Sequence, residues 1–187
     1  TDTWDVTVDH DGYVWAATSG GLVRFGPDRR PAEVFTHDDA DSLSLSSDLV
    51  YRVAVDSHNR IWAGTVDGLC LLDRAHGTFR RWKADADDPD ALTAGAISGV
   101  AEAPDGRIWV ATMIGGLNVI DTRTGAIQHV QYDKFDPRSL VSDNVNGLFI
   151  DARGLLWAAT QKGLGILDLN AKAFRHMAVG SLERGKL

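Results

Sequence analysis

At 187 residues, with 44% hydrophobic and 24% charged side chains, the chain has the composition of an ordinary globular protein with one good-sized core, not of a disordered segment. Its 26 acidic and 19 basic residues leave a formal net charge of -7, and no Lys/Arg cluster is longer than a pair, which excludes a nucleic-acid backbone or anionic membrane as an expected partner. The single cysteine, Cys70, excludes an internal disulfide and a cysteine-built zinc site, and no apolar run approaches the roughly 18 residues that span a bilayer. The chain opens on Thr1-Asp2-Thr3-Trp4 with no initiator Met or signal sequence, as expected of an excised or processed piece.

In chain order, the first expected strand alternates through Val6-Thr7-Val8 and meets an Asp11-Gly12 hairpin turn. A strand carrying Trp15 runs to Thr18, a Gly-containing turn leads to a third strand, and a fourth lies around Phe35. An acidic linker over roughly 38–50 follows, carrying DSLSL and the residues Asp38, Asp39, Asp41 and Asp48. The series then restarts. Val53-Ala54-Val55, the Asn59-Arg60 turn, Trp62, Thr65, LCLLD, His76-Gly77 and Trp82 lead to a linker near 85–97 with DPDAL and Asp85, Asp87, Asp88 and Asp90. The third pass has Asp105-Gly106, Trp109, Thr112, LNVID, Thr124-Gly125 and Val130, then a linker near 133–145 with DPRSL, Asp133, Asp136 and Asp143. The fourth has Leu148-Phe149-Ile150, Arg153-Gly154, Trp157, Thr160, LGILD, Asn170-Ala171 and Met177.

Trp15, Trp62, Trp109 and Trp157 are therefore 47, 47 and 48 residues apart, the extra residue falling in Met113-Ile114-Gly115-Gly116. Four-stranded units of this length in tandem are what a β-propeller needs, because one blade cannot bury both faces and must stack on neighbours. Leucine-rich and β-helical repeats are shorter, and helical repeats would show a 3.6-residue period. The expected class is all-β: β-propeller blades, four repeats of about 47 residues with four antiparallel strands each, as a half-propeller or part of a larger ring. The blades are placed at about 4–50, 51–97, 98–145 and 146–180, with a tail at 181–187.

The recurring phrase D-x-x-G-x-[IVL]-W-x-[AG]-T-x-x-G-L, followed by an apolar strand ending in Asp and a Ser-Leu linker, resembles the two-component regulator propeller repeat, and it covers essentially the whole chain. The resemblance implies the extracytoplasmic or periplasmic sensing portion of bacterial signalling proteins, notably hybrid histidine kinases. Members of that family usually bear many more repeats, so four blades are expected to be a fragment of a longer propeller, half of an eight-bladed ring closed by a second copy, or a four-bladed ring. Two departures stand out: Asn59 replaces the turn glycine, and Ala103 replaces the Asp seen as Asp9, Asp56 and Asp151.

The periodic Trp15, Trp62, Trp109 and Trp157 are expected to be spacers between sheets, and Thr18, Thr65, Thr112 and Thr160 to make hydrogen bonds inside blades. Binding is expected where copies differ, on the face built by the linkers and the turns after each Thr. Trp4, Tyr51, Arg52, Tyr132, Arg138, Asn144 and Asn146 lie near that face and offer aromatic rings, amides and a guanidinium suited to a polar ligand such as a glycan. The linker aspartates do not have calcium-loop spacing and read as turn formers. His129 and His176 are equivalent fourth-strand positions that stand apart, so no metal and no cofactor is expected. Catalysis is not expected. The alternatives are a protein–protein interaction scaffold and a streptogramin-lyase-like enzyme, although the latter would need histidines converging on the channel and the first strands carry none.

Overall fold

The structure, a computed structural model, describes residues 1–28, 30–170 and 173–177. Among these residues there is no helix, hence none long and apolar enough to cross a membrane. The strands form four sheets. Blade 1 comprises β1 (Thr3–Val8), β2 (Val14–Thr18), β3 (Gly21–Phe25) and β4 (Pro31–Phe35); blade 2 comprises β5 (Val50–Val55), β6 (Ile61–Thr65), β7 (Gly68–Asp73) and β8 (Thr78–Trp82). Blade 3 comprises β9 (Ile97–Glu102), β10 (Ile108–Thr112), β11 (Gly116–Ile120) and β12 (Ile127–Val130); blade 4 comprises β13 (Val145–Ile150), β14 (Leu155–Thr160), β15 (Gly163–Asp168) and β16 (Ala173–Met177).

Each sheet is an antiparallel meander in chain order. The hairpin turns work because Gly12, Gly106 and Gly154 hold φ near +80°, and Asn59 holds the same place at φ 61°. The first strands pack in succession, β1 on β5, β5 on β9 and β9 on β13, so they form the inner side of a four-bladed propeller and the fourth strands its outer edge. Gly99 permits one close approach, since a Cβ there would lie 2.9 Å from the Leu148 backbone nitrogen.

The core lies between blades. Trp15, Ala17 and Leu22 of blade 1 pack with Val53, Ile61, Ala63 and Cys70 of blade 2. Trp62 and Leu69 then pack with Ile97, Ile108 and Val110, and Trp109 and Leu117 pack with Leu156, Ala158 and Leu167. One residue of each linker joins these layers: Leu45, Leu92 and Leu140 are fully buried, and His37 and Ala84 form parallel bridges to the first two. The Trp spacing is thus a stacking period: Trp15, Trp62 and Trp109 each pack against the blade that follows.

Candidate ligand face around the first-strand bulges

The linkers and the β2–β3-type turns share one face. Gly21, Gly68 and Gly116 donate N–H bonds to the carbonyls of Asp48, Gly95 and Asp143, and Ser19, Val66, Met113 and Gln161 donate to Asp2, Leu49, Ala96 and Asn144. Thr18, Thr65, Thr112 and Thr160 close each turn from within, their hydroxyls donating to the carbonyls of Gly21, Gly68, Gly116 and Gly163 at 2.8–3.1 Å.

Every first strand begins on this face with an irregularity. The pairing skips Trp4 between Thr3 and Asp5, Tyr51 between Val50 and Arg52, Ser98 between Ile97 and Gly99, and Asn146 between Val145 and Gly147. An extra residue in one strand bends it and re-aims a side chain, which is why bulges recur beside binding sites. Here the four bulged residues sit at equivalent places around the inner strands. Trp4 and Tyr51 meet edge to face, with ring centroids 4.9 Å apart and planes at 72°. Trp4 remains 40% exposed, so a wall of aromatic surface stays open to solvent.

Arg52 ties three blades together. Its Nε donates to the Ser98 carbonyl at 2.7 Å, one terminal nitrogen donates to the Tyr51 carbonyl at 2.8 Å, and the other reaches the Asn146 carbonyl at 3.5 Å. The long last contact leaves a guanidinium edge beside Asn146 that an acceptor could engage more tightly. Asp5, the residue after the Trp4 bulge, accepts the Val53 N–H at 3.1 Å and fixes β1 against β5.

The other candidates lie elsewhere on the rim. Asn144 Nδ2 donates to Gln161 Oε1 at 2.7 Å, and Tyr132 lies under the Lys162 ammonium at 5.3 Å. Arg138 folds onto Asp136, with its Nε 3.3 Å from the carboxylate, and lines a separate groove between blades 3 and 4. Trp4, Tyr51, Arg52 and Asn146 are therefore brought together, whereas Tyr132, Arg138 and Asn144 are not. Two further members are Ser98 and Asp5, of which Ser98 alone carried a sequence signal: Ile97-Ser98-Gly99 and Val145-Asn146-Gly147 break strand alternation at the same point.

The linker aspartates cap turns. Asp38, Asp41, Asp85, Asp88, Asp133 and Asp136 each accept the backbone N–H two residues on, while Asp48 and Asp143 accept those of His37 and Tyr132. Among the described residues no three His, Cys, Asp or Glu side chains converge as metal ligands. His37 titrates above its ordinary value because its ring bonds the Leu45 carbonyl and the Asp39 carboxylate. The His129 ring is engaged with the Ala91 carbonyl at 2.8 Å.

On the opposite face the hairpin aspartates hold the periodic indoles. Trp15, Trp62 and Trp157 donate Nε1–H to Asp9, Asp56 and Asp151 at 2.9, 2.8 and 3.3 Å. Burial alone would raise the Asp9 and Asp56 carboxyls, but bonds from the indoles, from backbone N–H groups and from Arg74 or Arg60 outweigh it and hold both below the ordinary carboxylate range. Blade 3 lacks this acid, and Trp109 Nε1 is buried without a partner.

No protein-family profile and no curated protein matches the chain. Solved β-propellers do. The chain is similar to the extracellular domain of the putative hybrid two-component system BT3049 from B. thetaiotaomicron, with 24% identity over 95% of this chain and 24% of that one, at a TM-score of 0.80. It is also similar to the extracellular domain of the putative one-component system BT4673 of the same organism, with 19% identity over 97% of this chain and 25% of that one, at 0.78. Virginiamycin B lyase from Staphylococcus aureus follows at 0.71, with 16% identity over 97% of this chain and 57% of the lyase. The chain spans about a quarter of the length of those two extracellular domains. At these identities the likeness establishes the fold: the protein is an all-β, four-bladed β-propeller whose structural neighbours include extracellular sensor domains of bacterial signalling systems.

Proposed function

We propose that this propeller is a non-catalytic recognition module, acting outside the cytoplasm as the sensing portion of a bacterial signal-transduction protein. In this proposal its linker face binds a polar ligand such as a glycan. The observation that carries this reading is the ring of first-strand bulges. They set the exposed Trp4–Tyr51 pair and the Arg52 guanidinium edge side by side at the inner mouth, where an aromatic wall suits the apolar face of a sugar ring and Arg52 suits its hydroxyls. The similarity to extracellular sensor domains supports the location. The likeness to a lyase carries no chemistry of its own, because β1, β5, β9 and β13 contain no histidine.

A thermal-shift screen of mono- and oligosaccharides tests the reading. A ligand at 100 times its Kd raises stability by about 2.7 kcal/mol, and Trp4→Ala and Tyr51→Ala should each abolish the shift while leaving the unliganded melting temperature within a few degrees. A flat screen favours a scaffold that binds other proteins. Turnover of a lactone or polysaccharide, lost on replacing a single histidine, overturns the non-enzymatic assignment.

A further inference from the structure

Trp109 differs from its counterparts in ways that meet at one place. Ala103 holds the backbone position of Asp9 and Asp56: its N–H donates to the Arg107 carbonyl just as theirs donate to Tyr13 and Arg60. The acceptor for the indole is therefore missing. Val130, paired with Leu117, holds the register position of Phe35, paired with Leu22, and of Trp82, paired with Leu69. In the earlier blades those aromatic rings cover the indoles, Phe35 at 6.0 Å from Trp15 and Trp82 at 5.5 Å from Trp62. Guanidinium groups also lie over both indoles, Arg24 and Arg74 over Trp15 and Arg60 over Trp62. The equivalent Arg107 instead grips Asp105 at 2.7–2.8 Å.

The missing ring leaves space. A groove of about 360 Å³ runs between blades 3 and 4, floored by Trp109, Val130 and Leu167 and rimmed by Arg107, Arg138 and His129. Its two arginines are each held by an acid beyond the lining, Arg107 by Asp105 at 2.7 Å and Arg138 by Asp136 at 3.3 Å. The Arg138–Asp136 contact, through Nε at 3.3 Å between exposed groups, is of a kind worth little in water and is readily exchanged. An apolar cavity of about 150 Å³ already holds a benzene ring, and ligand sites begin near 300 Å³, so the space fits one ring with a polar substituent and not an oligomer.

We propose that this groove binds a small monocyclic aromatic carboxylate. Its ring lies against Val130 and Leu167, on the side where Phe35 and Trp82 stand in blades 1 and 2, and meets the small part of Trp109, 4% of its surface, that remains accessible. Its carboxylate displaces Asp136 and accepts two parallel N–H bonds from the Arg138 fork. The site is separate from the Trp4–Tyr51 face and does not depend on it.

Phenylacetate titrated into the full 187-residue chain, read by the indole N–H signals of the six tryptophans in a proton–nitrogen NMR spectrum, tests the assignment. One signal, identified as Trp109 by its loss in Trp109→Phe, should move saturably with a Kd near ~1 mM, as expected of so small a ligand. Arg138→Ala should weaken binding about tenfold, the loss of the charge-assisted pair. Val130→Trp, which rebuilds the blade 2 arrangement, should abolish it, and Trp4→Ala should leave it unchanged. Benzyl alcohol, with the ring but no charge, should bind about as weakly as phenylacetate binds the Arg138→Ala variant. An unmoved Trp109 signal at 20-fold the expected Kd, or equal binding of phenylacetate to Arg138→Ala, overturns the proposal, as does a shift with methyl glucoside but none with phenylacetate.

Discussion

At the scale of single residues, blades 1, 2 and 4 are each held by a carboxylate that answers an indole. Asp56 is nearly inaccessible, yet it accepts bonds from Trp62 Nε1, from the N–H groups of His58 and Arg60, and from Arg60 Nε. Replacing it by Asn keeps the shape, removes the charge and leaves an amide facing donors, so Asp56→Asn should cost about 2 kcal/mol at pH 7 in urea unfolding. The pH dependence has a definite sign. Asp9, Asp56 and Asp151 all titrate below the ordinary value, in Asp151 chiefly through the Leu155 N–H bond opposed by burial. A carboxyl depressed in the folded state contributes stability that is fully present above its unfolded value, about 3.9, and is lost as the pH falls from there toward its folded value. The gap between wild type and Asp56→Asn should therefore narrow as the pH falls below about 4, and a gap that stays constant down to pH 3 would show that the charge contributes nothing.

At the scale of elements, the Trp period made the blade count and the four-strand meander legible, because a residue required at one strand position in every copy leaves little alternative to stacking. Turn chemistry was equally open: Asn59 stands in for glycine and takes the positive φ that the position demands. The bulges were hidden. Trp4 and Tyr51 are equivalent by spacing, but that both are skipped in the ladder depends on hydrogen bonds to the second strand, and composition does not reveal such a slip. Arg52 reaching across two blades was hidden for the same reason, as a contact between residues 46 and 94 positions apart. Tyr132 and Arg138 stand near the linkers in sequence, but the side chains they meet are Lys162 and Asp136, not the bulged residues. Glycines offer a test at this scale. A Cβ at Gly99 would lie 2.9 Å from Leu148 N and 3.0 Å from its Cγ, so Gly99→Ala forces β9 off β13 and should cost about 1–3 kcal/mol. At Gly147, in the equivalent position of the next blade, the nearest atom is 3.9 Å away, and Gly147→Ala should be neutral within about 0.5 kcal/mol. Equal melting temperatures for the two variants would contradict the close approach.

For the whole molecule, the decisive feature is what each terminal blade leaves uncovered among the described residues. In blade 2 the row Val53, Ala63, Cys70 packs against Trp15 of the blade before it. The same row in blade 1 is Val6, Ala16, Val23, Val34, and there Val6 and Val34 are 62% and 55% exposed, as is Val8 at 56%. At the other end, Phe149, Trp157 and Ile166 form the row that in blades 1 to 3 is covered by the following blade, and Phe149 is 62% exposed. These two surfaces are the two halves of a single kind of interface, one presenting the indole side and the other the valine side. A contact joining unlike surfaces of identical chains is head-to-tail and closes only if the rotation per copy divides a full turn. Two four-bladed arcs would satisfy that condition if each spans half a turn, whereas further blades of a parent chain would cover the same rows without a second copy. For the 187-residue chain alone, the expected outcome in light scattering is a species of twice the 20.3 kDa chain mass. Val6→Asp and Phe149→Asp, each placing a charge on an already exposed position, should each return it to a monomer with little change in the far-ultraviolet spectrum, because the substitutions touch only the interface. A wild-type chain that stays monomeric at high concentration would rule out the two-chain ring.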